Sequence, residues 1–241
     1  MIYDVLIIGG GITGCTTAYR LSEYKLKVAI VEATDDVAMG ATKANSAIVH
    51  AGYDAAPGSL KAKLNVAGCA EMGELTKLLD VHYKNCGSLV CAFSDTEAKT
   101  LEELLERGKI NGVAGLEIIT GERARELEPE LSREVVAALY APSAGIVCPY
   151  ELCIAAGEVA VVNGCEFYFN FPVEKITKSD GVFAVDSHLR QLKARYIVNA
   201  AGINADKIAA MAGEVDFPAQ ITPRRGEYFV LDKNRGGLAR Q

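Results

Sequence analysis

Three glycines near the amino terminus have the spacing of a loop that binds phosphate groups. Gly9, Gly11 and Gly14 follow a short apolar run at residues 5–8. From Ile12 onward, apolar residues recur at helical spacing. In such a unit the first glycine permits a tight turn, the second lets the backbone approach a pyrophosphate, and the third allows close packing of helix on strand. The helix N-terminus adds unpaired N–H groups and a partial positive charge.

An acidic residue stands where such a site needs one. A second apolar run, residues 28–31, ends at Glu32, eighteen positions after Gly14. Its carboxylate can accept hydrogen bonds from a ribose hydroxyl, and its charge would repel the 2′-phosphate of NADP. Glycines alone also mark ordinary turns, but here strand, glycines, helix, second strand and acid fall in order within one unit. The sequence therefore predicts a dinucleotide-binding site.

The seven cysteines form no recognisable metal-binding pattern. Two pairs, Cys86 with Cys91 and Cys148 with Cys153, have four residues between their members. The CxxC spacing of a zinc knuckle is absent, and the sequence has only three histidines. We predict no metal and interpret these cysteines as small buried apolar residues. Their odd number and scatter are typical of reduced thiols in a cytoplasm.

The composition is that of an ordinary globular protein. Of 241 residues, 50% are apolar and 23% are charged, with a formal net charge of −6. That charge gives no basic surface for nucleic acid or for an anionic membrane. No apolar run reaches transmembrane length, and the amino terminus lacks the pattern of a signal peptide. We expect a cytoplasmic protein, either free or peripheral at a membrane.

The elements that must position these residues predict an α/β fold. Small and polar residues at 33–46 follow the second strand, and a β-like stretch at 47–53 comes next. A helix is predicted at 59–79, with Ser59 as its N-cap. Its predicted buried stripe consists of Leu60, Leu64, Ala67, Cys69, Met72, Leu75, Leu78 and Leu79.

A second lobe interrupts the strand–helix–strand series. Its predicted strands are 87–93, 116–119 and 135–140, and its helices 95–109 and 120–127. The series then resumes with a helix ending at 163, strands at 165–169, 173–177, 182–185, 188–192 and 195–202, and a helix at 204–211. Residues 218–223 and a strand at 227–231 re-enter the second lobe. The predicted domains are 1–82 with 142–215, and 83–141 with 216–241.

Motifs along most of the chain match one family of enzymes. They are the glycine loop with Glu32, Asn45-Ser-Ala-Ile-Val-His50-Ala-Gly-Tyr53, Pro57-Gly-Ser-Leu-Lys-Ala-Lys63, Gly145-Ile-Val, Val198-Asn-Ala-Ala-Gly202 and Pro223-Arg-Arg-Gly-Glu-Tyr-Phe229. Across residues 1–232 the chain resembles the FAD-dependent oxidoreductases of the D-amino-acid-oxidase superfamily, nearest to the branch of glycerol-3-phosphate dehydrogenase and L-2-hydroxyglutarate oxidase. The resemblance implies a Rossmann-like FAD-binding domain with a parallel sheet and a three-stranded β-meander, plus part of an interleaved α+β substrate domain.

The resemblance also implies which residues contact FAD. They are Gly9, Gly11, Ile12, Thr13 and Gly14 at the pyrophosphate, Glu32 and Ala33 at the adenosine ribose, Thr42, Lys43, Asn45 and Ser46 beside the pyrophosphate and flavin, Val173 at the adenine, and Ala200, Ala201 and Gly202 near the pyrophosphate. Without the family pattern, Val173 is simply a strand valine. Residues 200–202 would likewise serve close packing of helix on strand.

Catalytic residues follow from the same resemblance. The hydroxy substrate would give a hydride to flavin N5 while a base takes the hydroxyl proton, and a base active near neutral pH is most simply a histidine. His50 is the histidine in a motif beside the cofactor; it could instead form a hydrogen-bonding wall or attach FAD covalently. Arg225, with Arg224, is suited to bidentate binding of an anionic substrate, or forms a solvated pair.

The length of the chain leaves function partly open. Family members usually run well past 241 residues, so we expect either a fragment of a longer polypeptide or a chain whose remainder a partner supplies. The expected activity is oxidation of a small anionic hydroxy compound such as glycerol 3-phosphate. Oxidation of L-2-hydroxyglutarate or an amino acid, and a non-catalytic nucleotide-binding subunit, are the alternatives. The electron acceptor would be oxygen, a quinone or a partner protein.

Overall fold

The computed structural model describes residues 1–213, 220–229 and 232. In chain order its elements are β1 (Tyr3–Ile8), α1 (Ile12–Leu21), β2 (Val28–Val31), a 3-10 turn (Ala41–Lys43), β3 (Ile48–Val49), α2 (Leu60–Leu78), β4 (Tyr83–Lys84), β5 (Ser88–Ala92), α3 (Asp95–Asn111), β6 (Glu117–Thr120), α4 (Gly121–Leu127), β7 (Ala137–Ala141), β8 (Gly145–Val147), α5 (Pro149–Val162), β9 (Glu166–Tyr168), β10 (Lys175–Ser179), β11 (Val182–Asp186), β12 (Gln191–Asn199), a second 3-10 turn (Gly202–Asn204) and α6 (Ala205–Met211). They fall into two units, Met1–Ser46 with Pro149–Gly226, and Ala47–Cys148 with Glu227–Gln241.

The first unit is built on a six-stranded sheet in the order β10-β11-β12-β1-β2-β9. Strands β12, β1, β2 and β9 run parallel, whereas β10, β11 and the start of β12 form an antiparallel meander. The predicted parallel sheet with a three-stranded meander is therefore confirmed. Because β1 lies at the centre of the parallel strands, the loop that follows it lies at their carboxyl edge, where α/β sheets bind nucleotides.

The central strands are buried because they are covered on both faces. Leu6 of β1 is fully buried in a cluster that also holds Phe171 and Val185. Helices α1 and α5 pack against each other, and a Cβ placed on Gly157 of α5 would lie 3.5 Å from the Sγ of Cys15 on α1. The apolar runs at 5–8 and 28–31 were sufficient to predict these strands.

The meander differs from the prediction in two places. The two strands predicted at 188–192 and 195–202 are a single strand, β12, which pairs antiparallel with β11 and then parallel with β1. Ala194 pairs with Phe183 on one side and with Tyr3 on the other, so the strand passes from one partner to the next without a break. Strand β10 begins at Lys175, which leaves Val173 just before it.

The second unit contains two small antiparallel sheets, β5-β7-β6 and β3-β8-β4. Three helices of this unit begin at side-chain caps, and the predicted cap Ser59 is among them. The hydroxyls of Ser59, Ser94 and Thr120 accept the backbone N–H groups of Ala62, Glu97 and Arg123, at 3.1, 3.3 and 3.2 Å respectively. Such caps satisfy N–H groups that the first turn of a helix leaves unpaired.

The boundary between the units lies elsewhere than predicted. We expected it at residues 82 and 142, but residues 47–82 and 142–148 belong to the second unit. Ile48 of β3 pairs with Ile146 of β8, and Tyr83 of β4 pairs with Val147 of the same strand. The pairing of Ile48 with Ile146 joins segments about a hundred positions apart, which local periodicity cannot reveal.

The predicted buried stripe of α2 is confirmed only in part. Leu60, Leu64 and Leu78 are 69%, 58% and 66% exposed, whereas Ala62 and Thr76 are buried. Leu79 is buried and Cys69, Met72 and Leu75 are half-buried, whereas Ala67 is exposed. Apolar spacing alone therefore placed only part of the stripe correctly.

Two predictions fall wholly or partly outside the described residues. The segment 218–223 is described only from residue 220, and the strand at 227–231 only to residue 229. The described residues 220–229 carry no helix or strand. Most of the predicted domain segment 216–241 likewise lies outside the described residues.

Candidate functional site

The glycine loop after β1 has the close packing that its sequence predicts. Gly9 has φ +111°, and a Cβ there would lie 2.4 Å from the carbonyl oxygen of Ala200. A Cβ on Gly14 would lie 1.9 Å from the carbonyl oxygen of Gly9. A Cβ on Gly11 would lie 3.2 Å from the Oγ1 of Thr42 and near no backbone atom of another described segment, so the backbone there remains open to close approach by a ligand. This cradle fits a pyrophosphate.

Helix α1 begins directly after Gly11 of the loop. Gly11 is the N-cap residue and supplies no side-chain cap. Thr42 Oγ1 instead accepts the backbone N–H of Ile12 at 3.0 Å, and Thr42 is largely buried. Thr13, on the first turn, is exposed. The structure thus brings the predicted residue Thr42 to the start of the predicted helix.

Glu32 is held in place by three hydrogen bonds. Its Oε2 accepts the backbone N–H of Gly10 at 2.6 Å. Its Oε1 accepts the backbone N–H of Thr34 at 3.0 Å and the Thr34 hydroxyl at 2.9 Å. Sequence reasoning missed Thr34, although a threonine two positions after an acid is a known local hydrogen-bonding pattern. The adjacent residue Ala33 is exposed.

Two thiols meet beneath the loop. Cys15 of α1 and Cys153 of α5 are fully buried, and each Sγ lies 3.5 Å from the carbonyl oxygen of Gly10. The hydrogen bond between the two thiols, together with burial, raises the pKa of Cys15. The same carbonyl accepts the N–H of Ala38 at 3.0 Å. Of the cysteines predicted to be buried, Cys153 is buried, whereas Cys86, Cys91 and Cys148, which belong to the second unit, are half-buried.

Residues 42–46 follow Gly40 as a short 3-10 turn and loop. Asn45 Nδ2 donates to the carbonyl oxygens of Ala41 and Thr42 at 3.0 and 2.8 Å, which closes the turn. Lys43 Nζ lies 3.6 Å from the sulfur of Met39. Lys43, Asn45 and Ser46 are exposed, so this segment presents polar donors at the surface of the first unit.

The small residues after β12 lie against the glycine loop. The N–H of Ala200 donates to the carbonyl oxygen of Ile8 at 2.9 Å, and a Cβ on Gly9 would also lie 3.1 Å from the Cα of Ala201. Gly202 has φ +55° and begins a 3-10 turn. Val173 is half-buried and packs with Ala201 against the core of the sheet.

The predicted catalytic residues belong to different units of the chain. His50 lies in the second unit, with its side chain exposed and its carbonyl oxygen accepting a hydrogen bond from Asn65. Arg224 and Arg225 are exposed in the described segment without regular structure. His82 and His188 are also exposed.

The opposite end of the sheet carries a separate polar network. The hydroxyls of Tyr3 and Tyr168 lie 2.6 Å apart, and each donates to Glu166 Oε2, at 2.8 and 2.7 Å. These bonds, led by that of Tyr168, lower the pKa of Glu166. Burial is the main reason that the pKa of Tyr3 is raised.

The described ranges hold neither a cluster of potential metal ligands nor a helix suited to span a membrane. Among these residues, no three His, Cys, Asp or Glu side chains come together as potential metal ligands. No helix described here is both long and apolar enough to span a membrane.

Comparisons with known proteins agree with this geometry. The family model described as FAD dependent oxidoreductase matches residues 4–241. A glycerol 3-phosphate dehydrogenase of Caloramator mitchellensis is 45% identical over 239 residues, which are 99% of this chain and 49% of that protein. A mitochondrial L-2-hydroxyglutarate dehydrogenase of Caenorhabditis elegans is 34% identical over 245 residues, 99% of this chain and 56% of that protein. The chain thus spans about half the length of these curated relatives.

A solved structure extends the comparison to the fold. The dithionite-reduced L-alpha-glycerophosphate oxidase from Mycoplasma pneumoniae, with FAD bound, is similar with a TM-score of 0.82 and 32% identity. The similarity covers 88% of this chain and 57% of that one. With a family model that matches nearly every residue and a glycine cradle that fits a pyrophosphate, the chain belongs to the family of FAD-dependent oxidoreductases.

Proposed function

We propose that this chain is the FAD-binding part of an enzyme that oxidises a small anionic hydroxy compound, with glycerol 3-phosphate as the first candidate. The observation that carries the proposal is the 45% identity to a glycerol 3-phosphate dehydrogenase across 99% of the chain. The preformed glycine cradle and the oriented Glu32 support it from the geometry. Because the chain spans about half of that relative, turnover by the whole protein is part of the proposal.

The first unit would hold the cofactor through the loop after β1. Gly9, Gly11 and Gly14 would let the pyrophosphate rest on the N-terminus of α1, where N–H groups and the helix dipole favour a phosphate. Glu32 would accept the hydroxyls of the adenosine ribose. The contacts proposed for the remaining groups of FAD involve Ile12, Thr13, Ala33, Thr42, Lys43, Asn45, Ser46, the backbone of Val173, Ala200, Ala201 and Gly202.

The flavin side of the site would involve His50. When bound, FAD supplies the hydride acceptor, N5 of its ring. We assign His50 the role of base for the substrate hydroxyl, since an imidazole accepts a proton near neutral pH and this side chain is exposed rather than packed into the core. A hydrogen-bonding wall at the flavin and covalent attachment of FAD are the competing roles that the experiment below separates.

An anionic substrate requires a cation. Arg225, with Arg224 beside it, would bind the phosphate or carboxylate through its planar pair of N–H donors. Both side chains are exposed in the described segment 220–229. An arginine that binds substrate should change the half-saturating substrate concentration far more than the affinity for FAD.

A second substrate is favoured by a specific observation. The 34% identical relative from Caenorhabditis elegans is an L-2-hydroxyglutarate dehydrogenase, and it aligns with the same 99% of this chain. L-2-hydroxyglutarate and glycerol 3-phosphate are both small anions with a secondary hydroxyl. The anion-binding residues therefore do not distinguish them.

Anaerobic reduction of bound flavin tests these assignments. The chain is loaded with FAD and mixed separately with glycerol 3-phosphate, L-2-hydroxyglutarate and an amino acid, and bleaching of the flavin absorbance identifies the substrate class. Reoxidation by oxygen or a quinone then identifies the acceptor. If FAD binds and none of the three bleaches it, the chain is a nucleotide-binding subunit without turnover.

Two variants separate the residue roles. His50→Asn should slow bleaching by roughly 100-fold or more if His50 is the base; bleaching at the normal rate would remove that role. Denatured wild-type protein that keeps its yellow colour would indicate covalent attachment. Arg225→Ala should raise the half-saturating substrate concentration roughly tenfold or more, with Arg133→Ala, another exposed arginine, as the matched control.

A further inference from the structure

The segment that carries His50 has no helix or strand after β3, yet side chains of two helices hold its backbone. Asn65 of α2 donates from Nδ2 to the carbonyl oxygen of His50 at 2.5 Å. Asn111, the last residue of α3, donates from Nδ2 to the carbonyl oxygens of Gly52 and Ala55, at 2.9 and 2.8 Å. Three backbone carbonyls within six residues thus have side-chain amide donors.

Close packing also restricts the backbone of residues 50–55. Gly52 has φ +113°, and a Cβ there would lie 2.7 Å from Cγ2 of Val66 on α2. Ala51 and Ala55 are 2% and 3% exposed. A third donor, Arg107 of α3, binds the carbonyl oxygen of Asp54 at 3.1 Å.

This combination is unusual for a connecting segment. Loops without regular structure are commonly mobile because few of their backbone groups are paired within the protein. Here the backbone is paired and partly buried while the imidazole of His50 is exposed to solvent. A reactive side chain gains from such an arrangement, because its position is set before the ligand arrives.

We propose that Asn65 and Asn111 are positioning residues for His50. They would hold the backbone of residues 50–55 so that the imidazole meets the flavin side of the site in one orientation. The inference rests on the proposed function, since it takes His50 to lie beside the cofactor. Neither asparagine touches substrate or cofactor in this account.

Asn85 provides a matched control. Its Nδ2 also donates to two backbone carbonyl oxygens of the second unit, those of Pro142 and Ala144, at 2.9 and 2.6 Å. Asn85→Ala therefore removes the same number of bonds as Asn111→Ala, but from a different segment. In hydrogen exchange of the full chain, Asn65→Ala and Asn111→Ala should speed exchange at residues 50–55 at least tenfold, and Asn85→Ala should not. Equal exchange at these residues in all three variants would overturn the inference.

The NMR signal of the His50 ring provides a readout that a general loosening of the fold would not change. The ring signals of the three histidines are recorded by NMR with and without FAD, and His50→Gln assigns the signal of His50. FAD should shift this signal in wild type and in Asn85→Ala. In Asn65→Ala and Asn111→Ala the shift caused by FAD should be less than half of the wild-type shift, while the Kd for FAD stays within twofold of the wild-type value.

The outcomes distinguish the inference from the function on which it rests. If FAD does not shift the His50 signal of the wild type, His50 does not lie beside the flavin. The positioning role of the two asparagines is then contradicted as well. A wild-type shift that Asn65→Ala and Asn111→Ala both retain in full would overturn the positioning role alone. In that case His50 remains beside the flavin without help from either asparagine.

Discussion

Glu32 Oε2 accepts the backbone N–H of Gly10 at 2.6 Å, so the acid at the end of β2 and the loop at the end of β1 form one hydrogen-bonded unit. The other oxygen of this carboxylate is held by Thr34. The group proposed to bind ribose is therefore oriented by the protein itself. Orientation before binding reduces the entropy lost when a ligand is bound.

Thr34 should contribute to cofactor affinity through Glu32. Thr34→Val removes the hydroxyl donor and keeps the backbone N–H, so Glu32 loses one of three bonds. The expected loss of binding free energy is about 0.5–1.5 kcal/mol, or roughly two- to tenfold in the Kd for FAD. Quenching of flavin fluorescence measures it. Thr177→Val, an exposed threonine on β10, is the control, and an equal effect of both variants would refute the role of Thr34.

Gly14 should be far less tolerant of substitution than Gly40. A Cβ on Gly14 would lie 1.9 Å from the carbonyl oxygen of Gly9, whereas a Cβ on Gly40 would meet nothing within 4 Å. Gly14→Ala should lower the free energy of unfolding by at least about 1–3 kcal/mol, because helix α1 must move away from the loop. Gly40→Ala should change it by less than about 0.5 kcal/mol. Urea unfolding compares the two, and equal stability would show that the loop is packed less tightly than described.

The thiols should differ sharply in reactivity in the folded state. Burial raises the pKa of Cys165 to about 12, and the bond to Cys153 together with burial raises that of Cys15. At pH 8, roughly one Cys165 thiol in ten thousand would be ionised, and the thiolate is the reactive form. Alkylation followed by mass spectrometry should therefore label the half-buried Cys86 and Cys148 first. Labelling of Cys15 or Cys165 at the same rate in native protein as in urea would contradict this order.

The network of Tyr3, Tyr168 and Glu166 should make the free energy of unfolding depend on pH in the acidic range. The pKa of Glu166 is lowered in the folded state, so its contribution is present above the unfolded value of 4.5 and is lost as pH falls through the folded value. Tyr3→Phe removes one donor to this carboxylate. The difference in stability between wild type and Tyr3→Phe should therefore shrink between pH 7 and pH 3. Tyr196 is an exposed tyrosine on β12, so the stability difference between wild type and Tyr196→Phe should not change with pH. If the stability difference for Tyr3→Phe is also independent of pH, the ionised Glu166 does not contribute to stability through Tyr3.

Local sequence was sufficient for the centre of the first unit. The runs at 5–8 and 28–31 and the glycine spacing predicted β1, β2 and α1 because a buried parallel strand and the helix after it depend on nearby residues. Thr34 was missed because its role depends on the position of the Glu32 carboxylate rather than on spacing. The same approach divided β12 in two, since nothing in the sequence marks the strand's change of partner at Ala194.

Long-range packing defined what local patterns could not. On α2, Val66 packs closely against Gly52, whereas Leu60 and Leu64 are exposed despite their apolar spacing. The boundary at residues 46 and 47 depends on Ile48 pairing with a strand about a hundred positions later. Likewise, the sequence placed His50 in a motif but did not show that Asn65 holds its backbone.

Binding of FAD by the purified chain tests the central claim most directly. The chain is titrated with FAD while flavin fluorescence is followed, and the product is passed through gel filtration. We expect saturation at one FAD per chain and a protein that stays yellow after gel filtration. NADP should not compete with FAD, because Glu32 repels a 2′-phosphate. Gly11→Val should keep the fold by circular dichroism and weaken binding by roughly tenfold or more, because its side chain would fill the cradle. A folded, colourless chain that takes up no FAD, or a Gly11→Val variant that binds FAD as tightly as wild type, would contradict this claim.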